Sequence, residues 1–351
     1  MSLRFKYQEG KAEIFFDVEQ YNVLYDKMKS LTLETRSNQL VQERKRIIEA
    51  GDLNQFTKDG IFNPGVLSIN QELQLLCRGE ENGNTWVGEI LSSQATPIWC
   101  TLDQDFKVKN HFNLTYKNLP EHYRPEDWRL FEYQGKLYAN HSVYMENNNS
   151  LQCRPGISEI NLEAKEITLC CLLKPPFNPS SEEKNWVVFV HQDHLLCIYS
   201  FQPYIILKIN LDQGNSEKFL VVESDLNCPW HDKPNQFIAS STNPVVWDED
   251  HYILFIHDYL QPLNEPRNRA YMQYAALISR KTLLPTSVIQ DPLVMGGTEQ
   301  GRHSGVHYTS SLINREDGLY AFYGEGDSHT GLVIFDKNEL SKLFEEHQVL
   351  A

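Results

Sequence analysis

The chain has 351 residues, of which 41% are hydrophobic, and a formal net charge of −15 at pH 7. We do not expect such a chain to bind nucleic acid or anionic membranes, because binding to phosphates without sequence preference needs clustered Lys and Arg. The N-terminal residues lack the apolar core of a signal sequence, and no segment approaches the length of a membrane span. We therefore expect a cytoplasmic protein.

Two segments have the composition of helices. Residues 19–53 combine good helix formers with charges of both signs around a thin apolar face, which predicts an N-terminal helical extension. The thin apolar face suits either a cap on the following domain or, as we expect, a homo-oligomer formed through these helices. A short helix is predicted at the C-terminus, with Asp336 as its N-cap and Glu339 as the capping-box partner.

Between these helices the chain repeats a strand–turn–strand unit with a period of about 60 residues. Each unit starts with a polar residue, continues with an apolar strand and a polar turn, and ends with a second strand. The five units are FNPGVLSINQELQLLCRGEE from Phe62, DWRLFEYQGKLYANHSVY from Asp127, KNWVVFVHQDHLLCIYSF from Lys184, TNPVVWDEDHYILFIHDY from Thr242 and HYTSSLINREDGLYAFYGEGD from His307.

This period is longer than that of solenoid repeats and suits the four-stranded blade of a propeller. We therefore predict an all-β fold, a five-bladed β-propeller over residues 55–351, preceded by a strand and helical extension over residues 1–54. The alternative is a β-sandwich, whose half-buried strands also resemble one another.

Polar residues at the strand ends are the candidates for a functional site. In a propeller the first strand of each blade lines the central channel, so the residues that open the units converge on one funnel. The mixture there of acids, cations and amides suits a polyhydroxylated or anionic small ligand. The candidate site residues at these openings and strand ends are Asn63, Arg78, Asp127, Arg129, Lys184, Asn185, His257 and Asp327.

Several short motifs, in this order, resemble family 130 of the glycoside hydrolases, which includes inverting β-mannoside phosphorylases, and the related family 108 of the glycosyltransferases. They are FNPGV with LLCRG, EDWR with GKLY, EKNWVVF, NPVVW with FIHDY, and YGEGD. The resemblance implies a carbohydrate-active enzyme that transfers mannose reversibly between a β-mannoside and phosphate. It implies an oligosaccharide or a sugar phosphate as partner and no cofactor, with inorganic phosphate as co-substrate.

Carried over to this chain, the resemblance makes Asp127 the general acid and Arg129 the residue that orients its carboxylate. Asn63, Arg78 and Asp327 match positions that hold the sugar in the cleavage subsite. Lys184, Asn185 and His257 match positions around phosphate. These roles agree with the chemistry, because a phosphate nucleophile needs cations and amide donors, whereas a hydrolytic water needs a second carboxylate.

The chain departs from the family pattern at two places. Trp128 stands where the family usually has proline, and His191, His194 and Tyr199 occupy a hairpin where the family tends to have basic residues. Phosphorolysis, mannosyl transfer and hydrolysis by a β-mannosidase therefore remain open, as does a non-catalytic sugar-binding propeller. The paired histidines predict no metal site, because their spacing on strands does not bring side chains together and no carboxylate completes a ligand set.

Overall fold

A computed structural model describes residues 4–8, 11–15, 40–81, 86–87, 90–91, 95–147, 150–201, 203–222, 238–260, 270–289, 292–295, 301–303 and 305–348. The first strands are β1 (Arg4–Gln8), which pairs with β2 (Lys11–Phe15), and β3 (Val41–Ile48). The helix predicted over residues 19–53 is wrong for residues 41–48, which form β3. Residues 19–39 of that prediction lie outside the described residues.

Five sheets follow, antiparallel apart from one parallel strand pair in the second, and each contains one of the predicted units as a hairpin. Blade 1 contains β4 (Gly60–Ile69), β5 (Glu72–Glu80), β8 (Thr96–Leu102) and β9 (Val108–Asn113), and a separate ribbon joins β6 (Trp86–Val87) to β7 (Ile90–Leu91). Blade 2 contains β11 (Tyr123–Tyr133), β12 (Lys136–Asn147), β13 (Ser150–Asn161) and β14 (Glu166–Leu172), with β10 (Thr115–Lys117) beside β14. Blade 3 contains β15 (Val187–His191), β16 (His194–Phe201), β17 (Tyr204–Asn210) and β18 (Asn215–Val222).

Blade 4 contains β19 (Ala239–Ser240), β20 (Val245–Val246), β21 (His251–Leu260), β22 (Ala270–Ser279), β23 (Pro285–Val288) and β24 (Val294–Met295). Blade 5 contains β25 (His307–Asn314), β26 (Leu319–Glu325) and β27 (His329–Phe335), and its fourth strand is β3. The predicted five-bladed β-propeller is confirmed.

The apolar core lies between the blades, which explains why the ring closes. Five clusters of buried residues each join one neighbouring pair of blades, including the pair formed by blades 5 and 1. Trp99 and Trp128 pack between blades 1 and 2, for example, and the rings of Phe255 and Phe335 lie 5.8 Å apart between blades 4 and 5. Each sheet therefore buries both faces, and burial of this apolar surface holds the ring together.

The last blade is closed by a strand from the other end of the chain. β3 pairs antiparallel with β27, and Ile48 is buried against blades 5 and 1. Its sequence, VQERKRII, is rich in good helix formers, but pairing with the free edge of β27 outweighs that local preference. Residues 41–48 therefore complete the propeller and are not part of a helical pair between subunits.

The C-terminal helix and its N-cap were predicted correctly, but the capping box with Glu339 was not, because the backbone N–H of Asp336 donates to the carbonyl of Leu40. Helix α1 (Lys337–Glu346) begins at Asp336, whose carboxylate accepts hydrogen bonds from the backbone N–H groups of Asn338 and Glu339. Its buried residues Leu340 and Phe344 pack against blades 4 and 5. Within the described part of the chain, no helix has the length and apolarity that crossing a membrane requires.

Candidate functional site

Four of the eight residues that the sequence singled out lie where the backbone is distorted. Asn63, Asp127, Asn185 and Asp327 all have positive φ, between 49° and 60°. Asn63 and Asp127 lie in β-bulges, where the pairing of β4 with β5 and of β11 with β12 shifts register. A bulge re-aims a side chain, and Asn and Asp tolerate the left-handed region better than most residues. Strained backbone of this kind is concentrated at functional sites.

Asp127 is held by side chains from blade 1. The Nδ2 of Asn63 donates a 2.8 Å hydrogen bond to Oδ1 of Asp127, and the Nη1 of Arg78 lies 3.3 Å from the same oxygen. About a fifth of the Asp127 side chain, 22%, remains exposed. The sequence thus identified three residues that do meet, although they are far apart along the chain.

Arg78 is the centre of a group of acids that we call the carboxylate cluster: Glu80, Glu126, Asp127 and Asp327. Its Nε and Nη2 contact Oε1 of Glu80 at 2.9 and 2.8 Å, and its Nη1 lies 2.8 Å from Oε2 of Glu126. Arg302 is paired with the other oxygen of Glu80 and donates to the backbone carbonyl of Asp327. One guanidinium therefore faces several carboxylates in a mostly buried place.

This environment changes the acidity of the cluster. Burial raises the pKa of Glu126 to about 8, although Arg78 acts in the opposite direction. Burial also raises the pKa of Asp327, against the lowering effects of Arg78 and His303. For Arg78 burial would lower the pKa, but the surrounding carboxylates raise it overall, so it stays charged. Burial therefore favours the protonated form of Glu126 and of Asp327.

Arg129 belongs to a second group, the Arg129 cluster: Arg129, Asn185, Ser241, His257 and Tyr308. The Nε of Arg129 donates to the carbonyl of Ser241 at 2.6 Å, and its Nη2 donates to Oδ1 of Asn185 at 3.3 Å and to the Tyr308 hydroxyl. The resemblance implied that Arg129 orients Asp127, whereas in the structure Arg78 and Asn63 contact that carboxylate. Arg129 instead joins blade 2 to blades 3, 4 and 5.

His257 is part of the same cluster and is buried. Its Nδ1 lies 2.9 Å from the Ser241 hydroxyl, and its ring is 5.1 Å from that of Tyr308. Gln273 continues the network, because it accepts from the Ser241 hydroxyl and donates to the carbonyl of His307. His257 and Asn185 are therefore linked through Tyr308, which contacts both.

Lys184 lies at the edge of both clusters. Its ammonium is 2.5 Å from Oε1 of Glu182, and the same carboxylate accepts from the Tyr144 hydroxyl at 3.4 Å. Burial would lower the pKa of Lys184, but Tyr144 and Glu182 raise it overall. Its charge also reaches Glu126. Of the three residues matched to phosphate, Asn185 and His257 therefore belong to the Arg129 cluster, whereas Lys184 is already paired with Glu182.

The residues that depart from the family pattern lie in two separate parts of the structure. Trp128 is fully buried between blades 1 and 2, and its indole N–H donates to the Tyr116 hydroxyl at 2.8 Å, so it serves packing. His191 and His194 pair across the turn between β15 and β16, where Nδ1 of His191 contacts the Tyr252 hydroxyl. In the part of the chain that the structure describes, no three His, Cys, Asp or Glu side chains form a metal-binding group.

Three residues of the site were missed by the sequence reasoning. Ser241 contributes a backbone carbonyl, Tyr308 a hydroxyl, and Arg302 a guanidinium to these clusters. Tyr308 directly follows the start of the fifth unit, a position that the hairpin pattern could have flagged. Ser241 and Arg302 lie outside the repeated units and carry no such signal.

The fold and site define a class: five-bladed propellers in which side chains from several blades bring acids, arginines and amides together. No family model matches the chain, and no curated protein matches it. Solved structures do. One is a β-1,2-mannobiose phosphorylase from Listeria innocua in complex with β-1,2-mannobiose, with 14% identity, a TM-score of 0.63, and coverage of 87% of this chain and 100% of that one.

A mannose phosphorylase from Leishmania mexicana, solved with a phosphate ion, is 11% identical with a TM-score of 0.55, covering 95% of this chain and 98% of that one. A structure from the GH130 family of mannoside phosphorylases, described as containing hydrolases of β-1,2-mannosidic linkages in Candida mannan, is 12% identical. Its TM-score is 0.55, and the match covers 79% of this chain and 84% of that one. The structures that this chain resembles therefore include members of the family that its motifs resemble, and the likeness is one of fold.

Proposed function

We propose that this protein is an inverting β-mannoside phosphorylase that transfers mannose reversibly between a β-mannoside and inorganic phosphate, with Asp127 as general acid. The observation that carries the proposal is the fixation of Asp127 by Asn63 and Arg78 on a strained bulge. The side chain of Asp127 is more exposed to solvent than the side chains of Glu80 and Glu126. A carboxyl group held in this way can deliver a proton to a glycosidic oxygen.

The surrounding residues supply the remaining roles. Asn63, Arg78 and Asp327 hold the hydroxyl groups of the mannose unit that is transferred. Arg129 and Asn185, with Lys184 and His257 beside them, receive the phosphate, which attacks the anomeric carbon on the face opposite Asp127. Phosphate needs cationic and N–H donors but no general base, and the Arg129 cluster offers these donors.

The test is release of inorganic phosphate from mannose 1-phosphate in the presence of mannose or short β-mannosides. The wild type is expected to release phosphate and to lengthen the acceptor. Asp127→Asn keeps the shape and the hydrogen bond from Asn63 but cannot donate the proton, so it should bind sugar and lose turnover by a factor of about 10³. Equal activity of the two proteins would refute the role of Asp127, and retained binding without turnover by either would point to a sugar-binding propeller.

The pairing of Lys184 with Glu182 favours a second candidate, a mannosyltransferase or β-mannosidase on the same scaffold. A lysine that is already neutralised attracts phosphate less strongly than a free one. Activity with a nucleotide-activated mannose, or mannoside cleavage that is independent of added phosphate, would support this candidate over phosphorolysis.

A further inference from the structure

The carboxylate cluster contains more acid than its arginines can neutralise. Arg78 contacts Glu80, Glu126 and Asp127, while Arg302 contacts Glu80. If every carboxyl group were ionised, the cluster would hold two guanidinium groups and four carboxylates. The fourth carboxylate is that of Asp327, whose charge also acts on Arg78. Uncompensated charge in a buried place is costly, so such a cluster retains a proton.

Glu126 is the member best placed to hold that proton. Glu80 is paired with both arginines, and Asp127 accepts from Asn63 as well as from Arg78. Glu126 contacts only Nη1 of Arg78 among the hydrogen bonds and ion pairs of the described residues, and only 12% of its side chain is exposed. Among the three carboxyl groups that contact Arg78, it therefore receives the least support for a negative charge, and its side chain is less exposed than those of Asp127 and Asp327.

The geometry at Arg78 links Glu126 to the candidate acid. A single nitrogen, Nη1, lies 2.8 Å from Glu126 and 3.3 Å from Asp127, so the two carboxyl groups compete for it. An ionised Glu126 would draw this N–H more strongly than a neutral one and would add negative charge beside Asp127. A neutral Glu126 leaves the charge of Arg78 to Asp127.

We propose that Glu126 is a positioning residue that works as a neutral carboxylic acid, leaving Arg78 to hold Asp127, and that loss of its proton to solvent at alkaline pH switches the site off. This inference rests on the proposed function of Asp127. The elevated pKa of Glu126, about 8, agrees with it. The groups that act electrostatically on Glu126 or respond to it are Arg78 and Glu80 on β5, Asp127 on β11, Tyr144 on β12, Cys153 on β13 and Lys184 before β15.

Glu126→Gln tests the proposal, because the amide has the same shape and cannot ionise. The wild type is expected to lose activity as pH rises through about 8. In the variant this basic limb should move up by at least about one pH unit. Glu132→Gln, an exposed carboxyl on the same strand, is the matched control and should leave the limb unmoved.

The direction in which Glu126→Gln shifts the basic limb of the pH–activity profile distinguishes two origins of that limb. If Glu126 were an ordinary carboxylate, its replacement would remove a negative neighbour, and a proton lost elsewhere in the site would leave at lower pH. A limb that stays in place or moves to lower pH therefore overturns the inference.

A second measurement does not depend on turnover. The wild-type protein is labelled with ¹³C at glutamate carboxyl groups only, so that Asp127 and Asp327 give no signal in an NMR titration. One glutamate resonance should titrate near pH 8. Its loss in Glu126→Gln assigns it. Titration of every glutamate below about pH 6, against an ordinary value near 4.3, overturns the inference even if the variant fails to fold. If this resonance is observed but the protein shows no turnover, the proposed function is refuted and only the neutral state of Glu126 is confirmed.

Discussion

Asn63 and Asp127 lie on different blades, share a 2.8 Å hydrogen bond, and both have left-handed backbone, with φ of 49° and 59°. The Asn63 amide also packs closely against β26 of blade 5, since a Cβ on Gly324 would lie 2.1 Å from Oδ1 of Asn63. The two bulges therefore act together: one aims the carboxylate and the other aims the amide that holds it.

Replacing Asn63 by glycine should separate the amide from the backbone strain. Glycine adopts positive φ freely, so the bulge survives while the donor to Asp127 is lost. We expect kcat to fall by a factor of about 10 to 100, the loss expected for one hydrogen bond to a charged group, with little change in the free energy of unfolding. Steady-state kinetics and urea titration measure both, and Asn70→Gly, at an exposed turn with φ of 52°, is the control that should leave kcat unaltered.

Tyr308→Phe removes the hydroxyl that lies between Arg129 and Asn185. The buried guanidinium keeps its bond to Ser241, so we expect a loss of about 1 to 2 kcal/mol in the free energy of unfolding and a higher KM for phosphate. Denaturant titration and phosphate-dependent kinetics give the two values. An unchanged KM would place phosphate away from the Arg129 cluster.

Glu182→Gln should strengthen phosphate binding. Glu182 neutralises Lys184 across 2.5 Å, and its side chain is 53% exposed, so it can be exchanged for a dissolved anion. Without that charge we expect KM for phosphate to fall about threefold, with kcat nearly constant. Lys184→Met should raise KM. A higher KM in Glu182→Gln would show that Glu182 positions Lys184 and does not compete with phosphate.

The stability of the protein should depend on pH through Glu126. The folded chain holds this proton more tightly than the unfolded chain, because the folded pKa is raised to about 8. Its contribution is therefore fully present below the ordinary pKa of glutamate and is lost as pH rises to about 8, with a slope of up to about 1.4 kcal/mol per pH unit. Urea titrations between pH 5 and 9 should show a flatter curve for Glu126→Gln than for Glu132→Gln. Parallel curves would contradict the raised pKa.

Strand β3 should be needed for closure of the ring. Deleting residues 1–48 removes the partner of β27 and the buried side chain of Ile48. We expect a loss of at least about 3 kcal/mol, since a buried isoleucine alone contributes about 2 to 5. Denaturant unfolding followed by circular dichroism measures this loss, and deleting residues 1–15 is the control for truncation as such. Equal stability of the two truncated proteins would show that closure does not depend on β3.

Five hairpins and the C-terminal helix could be predicted because their signals are local. Alternating apolar residues around a polar turn describe a strand pair wherever it packs, and Asp336 caps α1 through backbone groups two and three residues away. The error at residues 41–48 has the opposite origin. Their charged, unbranched side chains favour a helix locally, but the open edge of β27, far along the chain, determined the strand.

By itself the sequence determined which residues stand at the blade openings and strand ends, because polar residues that tolerate left-handed backbone, such as Asn63 and Asp127, interrupt apolar strands there, and Asp327 follows the end of β26. Only the tertiary structure decided their partners. Arg78, and not Arg129, contacts Asp127, and Glu126 shares its guanidinium nitrogen, because the ring brings blades 1 and 2 together while it directs Arg129 towards blades 3, 4 and 5. Electrostatic contacts depend on distance and burial, which follow from closure of the ring and not from spacing along the chain.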